Sequence, residues 1–276
     1  MSDTLTCEIC PRHCRLATGK VGACRARVND GTKITALNYG AVTSIALDPI
    51  EKKPLYRFFP GSRILSVGSY GCNLNCPFCQ NHEISMADST FPTRQISPEQ
   101  LCELAAELVP QKNIGVAFTY NEPFIGYEFV RDTANLLKAV GLKVVLVTNG
   151  TVAPAALKKI LPLIDALNID LKGFSQEIYS LLGGDFETVR RTIEMSAQVC
   201  HVEVTSLIVP TMNDSPADMD SEAAWLASLS KDIPLHISRF FPRYKVTNLP
   251  PTPVKTIYEL VDVAKRHLNF VYAGNC

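Results

Sequence analysis

The sequence predicts an α/β fold, an incomplete TIM-like (β/α)6 barrel preceded by a small cysteine-rich metal-binding module. Three observations lead there. Apolar, β-rich runs recur at residues 64–67, 114–119, 143–148, 166–170, 202–209 and 235–238. Between them lie stretches with helical spacing near 98–109, 124–140, 153–161, 185–199 and 216–230. The strands are continuously apolar rather than alternating, as expected of a parallel sheet covered by helices.

Taken in order, residues 1–31 lack periodicity and carry Cys7, Cys10, Cys14 and Cys24. Alternation across 33–47 predicts a hairpin turning near Gly40, and a polar, proline-containing segment follows at 48–54. This places an amino-terminal module with its hairpin at 1–60 and the barrel at 61–276. Helix starts are signalled by Ser97-Pro98-Glu99-Gln100, a capping serine before a proline at the first helical position, and by Asp214-Ser215-Pro216. A last helix near 254–267 leads into Phe270-Val271-Tyr272.

With 276 residues, 46% of them apolar, the chain is long enough for one substantial core. Lys plus Arg and Asp plus Glu both number 27 without long runs of one sign, which argues against a broad nucleic-acid face and a polybasic membrane anchor. No window is long and apolar enough to span a membrane. The first twenty residues are polar where a signal peptide needs an apolar centre, so a cytoplasmic protein is expected. Of ten cysteines, seven fall in two tight clusters, which points to metal ligation rather than disulfides. Cys102 and Cys200 read as ordinary buried thiols.

The second cluster, Cys72-x3-Cys76-x2-Cys79, follows the first strand. Three thiolates can hold three irons of a [4Fe-4S] cubane and leave the fourth open to a substrate or cofactor; a zinc or redox-inert loop is the alternative. The first cluster, Cys7-x2-Cys10-x3-Cys14-x9-Cys24, has four thiolates. They suit either tetrahedral zinc, which would staple a segment of little apolar content, or an auxiliary [4Fe-4S] cluster. In (β/α) barrels, reactive groups gather where strands end at their carboxyl side. The polar groups Thr119-Tyr120-Asn121-Glu122, Thr148-Asn149, Asp170-Leu171-Lys172 and 210–214 all stand at such ends, and Arg239, Arg243 and Tyr244 follow the sixth strand. His82 and His236 are weaker candidates for the same mouth.

The cysteine loop after a first barrel strand, with Phe78 just before its third cysteine, resembles the radical S-adenosylmethionine (radical SAM) superfamily. Residues 48–56, 59–61, 71–81, 120–123, 168–172 and 271–275 resemble AmmeMemoRadiSam system radical SAM enzymes, a group similar to pyruvate formate-lyase (glycyl-radical enzyme) activating enzymes. The resemblance implies that Cys72, Cys76 and Cys79 hold the [4Fe-4S] cluster whose open iron chelates SAM. Reductive cleavage then yields a 5′-deoxyadenosyl radical that abstracts hydrogen. It also implies roles by place. Phe78, Gln80 and Asn81 lie beside the cofactor, the latter two at the adenine edge. Asn121 and Glu122 stand at the methionine amino group, although Glu122 before Pro123 also suits a helix cap. Asp170 and Lys172 can reach the ribose hydroxyls and methionine carboxylate, or form a plain ion pair, with Thr148 and Asn149 beside them. Implied partners are a flavodoxin or ferredoxin reductant and a protein: Memo-like, AMMECR-like, or a glycyl-radical enzyme. The expected reaction is hydrogen abstraction from a partner polypeptide. Alternatives are a small metabolite or nucleic acid and, more distantly, a non-enzymatic metal-binding interaction module. One departure stands out: Val147 occupies a position where activases often place a cation-binding aspartate.

Overall fold

The computed structural model describes residues 4–276. Eight strands lie side by side in chain order: β1 (Ser44–Pro49), β2 (Arg63–Gly68), β3 (Asn113–Phe118), β4 (Lys143–Thr148), β5 (Ala166–Asp170), β6 (His201–Ile208), β7 (Leu235–Arg239) and β8 (Val271–Gly274). From β2 to β8 neighbours are parallel, and β1 joins β2 antiparallel. β1 and β8 are the two ends of the sheet, so the barrel is incomplete. All six expected strands form. β8 is a seventh parallel strand, too short at four residues to show a period of its own.

Besides a single turn at His82–Ser85, seven helices follow the strands: α1 (Pro98–Glu107), α2 (Tyr127–Ala139), α3 (Pro154–Ile160), α4 (Gln176–Leu182), α5 (Phe186–Ala197), α6 (Pro216–Leu229) and α7 (Val254–Ala264). The Ser97 hydroxyl accepts from Gln100 N while the Gln100 side chain returns to Ser97 N, the reciprocal cap the sequence announces. Ser215 caps α6 in the same place. α4 was not expected from periodicity. Its signals are local: Ser175 accepts from Ile178 N, and Gly183 ends it in the left-handed region at φ 73°. No helix among the described residues is long and apolar enough to cross a membrane.

The hairpin expected at Gly40 does not form. Ile34–Ala36 pairs with Arg27–Asn29, Ala41–Val42 pairs with Arg94–Gln95, and the rest of the stretch is β1. Alternation identifies a strand but not its partner, and tertiary partners won over the local one. Gly40 still turns the chain at φ 67°, and an added Cβ would lie 2.5 Å from the Ile96 carbonyl oxygen.

The segment after β1 decides the shape of the interior. Ile50 and Leu55 are fully buried with Phe58 against Ile64, Ala117, Val145 and Ala166, a separate apolar plug inside the barrel. Polar bonds anchor it. Asp48 accepts from Lys53 Nζ at 2.9 Å and from the Tyr120 hydroxyl at 2.9 Å. Glu203, fully buried on β6, accepts from Tyr56 N and Arg57 N and meets ring nitrogens of His201 and His236 at 2.9 and 2.6 Å. Burial opposes its charge, but these four partners outweigh burial and draw the carboxyl down to about 2. Thus the loop is stitched to the strands by an ionised carboxylate, and the barrel is filled below the level of Val147 and Asp170.

Candidate active site

Above the plug the carboxyl ends of the strands enclose a cavity of about 560 Å³. Every residue expected to serve the SAM-type site lines it: Cys72, Cys76, Cys79, Phe78, Gln80, Asn81, Asn121, Glu122, Thr148, Asn149, Asp170 and Lys172. The parallel sheet does this, because each β-strand delivers its last residues to the same rim.

The cysteine loop runs from 72 to 79 against Leu74, Phe78, Leu182 and Phe240, which are buried together. Leu74 N donates to Cys72 Sγ at 3.4 Å, Asn149 Nδ2 approaches the same sulfur at 3.5 Å, and the Ser85 hydroxyl lies 3.1 Å from Cys79 Sγ. Burial pushes the Cys76 thiol up to about 11 and the Cys72 thiol higher still. Thiols in such a place give up their protons to a cation that compensates the charge, the behaviour of a metal-loading site. Among the described residues no three Cys, His, Asp or Glu side chains are placed around a single-ion position. The loop offers three thiols, the donor set of a cubane that takes one thiolate per iron and keeps a fourth iron open.

Opposite the loop, Lys172 Nζ lies 3.0 Å from Asp170 Oδ2. Burial would lower the lysine, yet the charges of Asp170 and Cys76 hold it above its ordinary value, so it stays cationic. Both side chains face the cavity, and the pair presents a cation and a carboxylate side by side. Such a pair can take a ligand carboxylate on one side and hydroxyls on the other.

Glu122 caps a turn, as one of its two readings has it, and also lines the cavity. It accepts from Phe124 N at 3.0 Å, capping the turn Pro123–Gly126, and also from the Thr148 hydroxyl and Asn149 N at 2.8 Å each. Burial outweighs these donors, and the carboxyl is pushed up to about 7. It thereby clasps the ends of β3 and β4 while lining the cavity. Asn121 is a positioning residue too: its Oδ1 accepts from Ser69 N, and its Nδ2 donates to the carbonyls of Tyr70 and Gly71, where the chain enters the cysteine loop. Asn81 Nδ2 donates to the Tyr120 carbonyl at 2.9 Å.

Two residues at the site were missed, Asn73 and Tyr56. Asn73, 2% exposed, donates to the Thr151 carbonyl at 2.7 Å and accepts from Asn149 Nδ2 at 2.9 Å. Its place inside the motif was a signal, but nothing in spacing said which way it points. Tyr56 and His236 line the cavity edge to face at 4.7 Å, and Tyr272 packs against both, 5.2 Å from His236 and 4.9 Å from Tyr56. Of the weaker candidates only His236 is on the wall. His82 and Tyr244 stack on each other at 4.5 Å, Arg239 Nε is taken by the Thr252 carbonyl, and neither these nor Arg243 lines the cavity.

Cys7, Cys10 and Cys24 are 6–8% exposed and Cys14 is half-buried, and none of them reaches the cavity. Cys7, Cys10 and Cys24 lie close enough for their charges to interact, Cys10 lies beside the Asn73 side chain, and Cys14 lies beside Gly22.

The sequence profile of the Radical SAM superfamily matches residues 66–223, more than half of the chain. The uncharacterized protein MJ0808 of Methanocaldococcus jannaschii is 39% identical over 99% of this chain and 82% of its own length. The pyruvate formate-lyase 1-activating enzyme of Escherichia coli is 26% identical over 63% of this chain and 70% of its own. Among solved structures, Streptococcus suis SuiB bound to the precursor peptide SuiA superposes with a TM-score of 0.59 at 11% identity, over 75% of this chain and 47% of SuiB. The fold, the three-cysteine loop on the first parallel strand and the profile match agree, and the chain belongs to the radical SAM superfamily.

Proposed function

We propose that the protein cleaves SAM reductively and uses the resulting 5′-deoxyadenosyl radical to abstract hydrogen from a partner polypeptide, in the manner of glycyl-radical activases. One observation carries this reading. A single cavity holds both the complete cofactor set and a further wall of Tyr56, His236, Ser238 and Asn275 that the cofactor set does not include. When bound, the [4Fe-4S] cluster supplies the electron that breaks the sulfonium bond. The chain supplies the rest. Cys72, Cys76 and Cys79 hold three irons, and the Asn149 amide beside the Cys72 sulfur tunes that ligand. Asp170 and Lys172 orient the cofactor's ribose and carboxylate, with Glu122 and Asn121 keeping the rim in register. The plug at 50–58 keeps water from entering below. A polypeptide substrate is supported by the activating enzyme and by the peptide-bound SuiB among similar proteins. The amino-terminal cysteines are read as a second metal centre, and a flavodoxin or ferredoxin as the electron donor.

Anaerobic reconstitution with iron and sulfide, followed by dithionite and SAM, should release 5′-deoxyadenosine. A fully loaded sample that releases none would overturn the enzyme reading. Transfer of deuterium from an α-deuterated glycyl polypeptide into 5′-deoxyadenosine tests the substrate class. Transfer from small metabolites alone would replace the polypeptide.

A further inference from the structure

We infer that the amino-terminal quartet is the electron entry of this protein: Cys7, Cys10, Cys14 and Cys24 hold an iron-sulfur cluster that passes single electrons to the loop of Cys72–Cys79. The inference rests on the reading of the quartet as a metal centre and adds what that metal is and what it does.

Placement is the first argument. The quartet sits against the side of the cysteine loop that the cavity does not reach, and the contacts are direct. Cys10 and Asn73 bond through their side chains, and Asn73 is the chain neighbour of Cys72 and also accepts from Asn149, whose amide touches the Cys72 sulfur. Arg12, between two quartet cysteines, donates from Nε to the Asn73 carbonyl at 2.7 Å. Arg25, next to Cys24, donates from Nη2 to the carbonyls of Cys72 and Ser85 at 3.1 and 3.0 Å. At Gly71, φ 85°, a Cβ would stand 2.6 Å from the Cys24 carbonyl oxygen, so backbone meets backbone. Two thiol sets thus approach within a few bonded and hydrogen-bonded links, the proximity electron tunnelling needs.

The second argument is access. With cofactor and substrate in the cavity, an electron arriving from that side must cross them, and Cys76 is 7% exposed. The quartet covers the opposite side. Three of its cysteines are shielded, while Cys14 is half-buried and its neighbours His13 and Arg15 are exposed, which gives the set one edge toward solvent.

Donor geometry is the third. Cys7, Cys10 and Cys24 are buried and close enough for their charges to interact, which gathers them into one donor set. A cluster takes one thiolate per iron and leaves its ligands apart. Arg12 and Arg25 place positive charge beside the quartet, where a reduced cluster adds negative charge.

The balance is simple. A low-potential one-electron donor, a reduced flavodoxin, a ferredoxin or dithionite, gives one electron to the quartet's cluster. That cluster returns to its oxidised state on passing it inward, and the sulfonium of SAM is the final acceptor. No bond changes at the quartet.

The test uses the full chain carrying Cys72→Ala, Cys76→Ala and Cys79→Ala together, reconstituted anaerobically. About four irons and four sulfides per chain are expected, with a reducible paramagnetic signal that SAM leaves unchanged. One zinc per chain with background iron, or neither metal, would overturn the inference. If the triple variant does not fold, the unsubstituted chain decides, with about eight irons expected against about four. In Cys10→Ala, freeze-quench spectra should show the radical-loop cluster reduced by flavodoxin at least about tenfold more slowly; an unchanged rate refutes the relay. 5′-Deoxyadenosine formation with dithionite in the unsubstituted chain is scored separately, so loss of the relay and loss of the enzyme reading give different results.

Discussion

The two cysteine sets occupy opposite sides of one loop and are built on different physics. Cys72, Cys76 and Cys79 hang from the end of a parallel strand, over a cavity that six strand ends have lined with polar groups. Cys7, Cys10, Cys14 and Cys24 sit in short antiparallel pairs with little apolar support, held by arginines that reach across to the barrel. Three ligands and a cavity leave a coordination position free for chemistry; four ligands without a cavity leave none. Burial alone does not separate the sets, since Cys76 and Cys24 are each 7% exposed; what differs is that Cys76 lines the cavity and Cys24 does not.

The largest effect should come from Cys76→Ala, which removes one of only three ligands. 5′-Deoxyadenosine release, measured by chromatography, should fall about a thousandfold or more while circular dichroism stays native. Activity that survived would mean the loop is not the reactive set. Next is Lys172→Met. Losing a charge-assisted contact of about 1.5–3 kcal/mol should weaken SAM binding about 10- to 100-fold by calorimetry on reconstituted protein. Unchanged affinity would return Asp170 and Lys172 to the status of an internal ion pair.

Arg25→Ala probes the seam between the sets. Two carbonyl bonds disappear, for a loss of about 1–2 kcal/mol and a melting temperature a few degrees lower. Iron should leave the radical loop faster under chelator, with the quartet's metal content unchanged. If both sets lose metal together, they form one cooperative unit and the comparison collapses.

The smallest effect on metal loading and activity is expected away from both sets. Glu222 on α6 pairs with Ser206, and burial pushes its carboxyl up to about 7 from 4.5. Between those values the folded chain holds a proton that the unfolded chain has lost, so stability falls as pH rises through about 4.5 to 7 and is level above it. Glu222→Gln has no proton to lose. Its stability relative to the parent should improve by roughly 3 kcal/mol between pH 4.5 and 8 in urea titrations. A pH-independent difference would show that Glu222 is ionised in the fold.

Much of this was readable in the chain. The six apolar runs became strands, and all twelve residues assigned to the cofactor side reached one cavity, because a parallel barrel turns a sequence position at a strand end into a spatial position. What was not readable depended on partners far away in sequence. Gly40 marked a turn, but the strands on either side chose Arg27–Asn29 and β2 instead of each other. Asp48, Lys53 and Tyr56 were seen only as a motif; that they plug and stitch the barrel required Glu203 and His236, some 150 to 190 positions later.

By itself the sequence determined which atoms can bind iron, since thiolate chemistry belongs to the residue and short spacings keep three cysteines on one loop whatever the fold. It determined the strand and helix alternation too, because periodicity is a local property. The tertiary structure alone decided which face each set presents. Burial, the guanidinium bridges from Arg12 and Arg25, and the Asn73–Asn149 contact are long-range relations, set by packing between segments whose local patterns say nothing about each other.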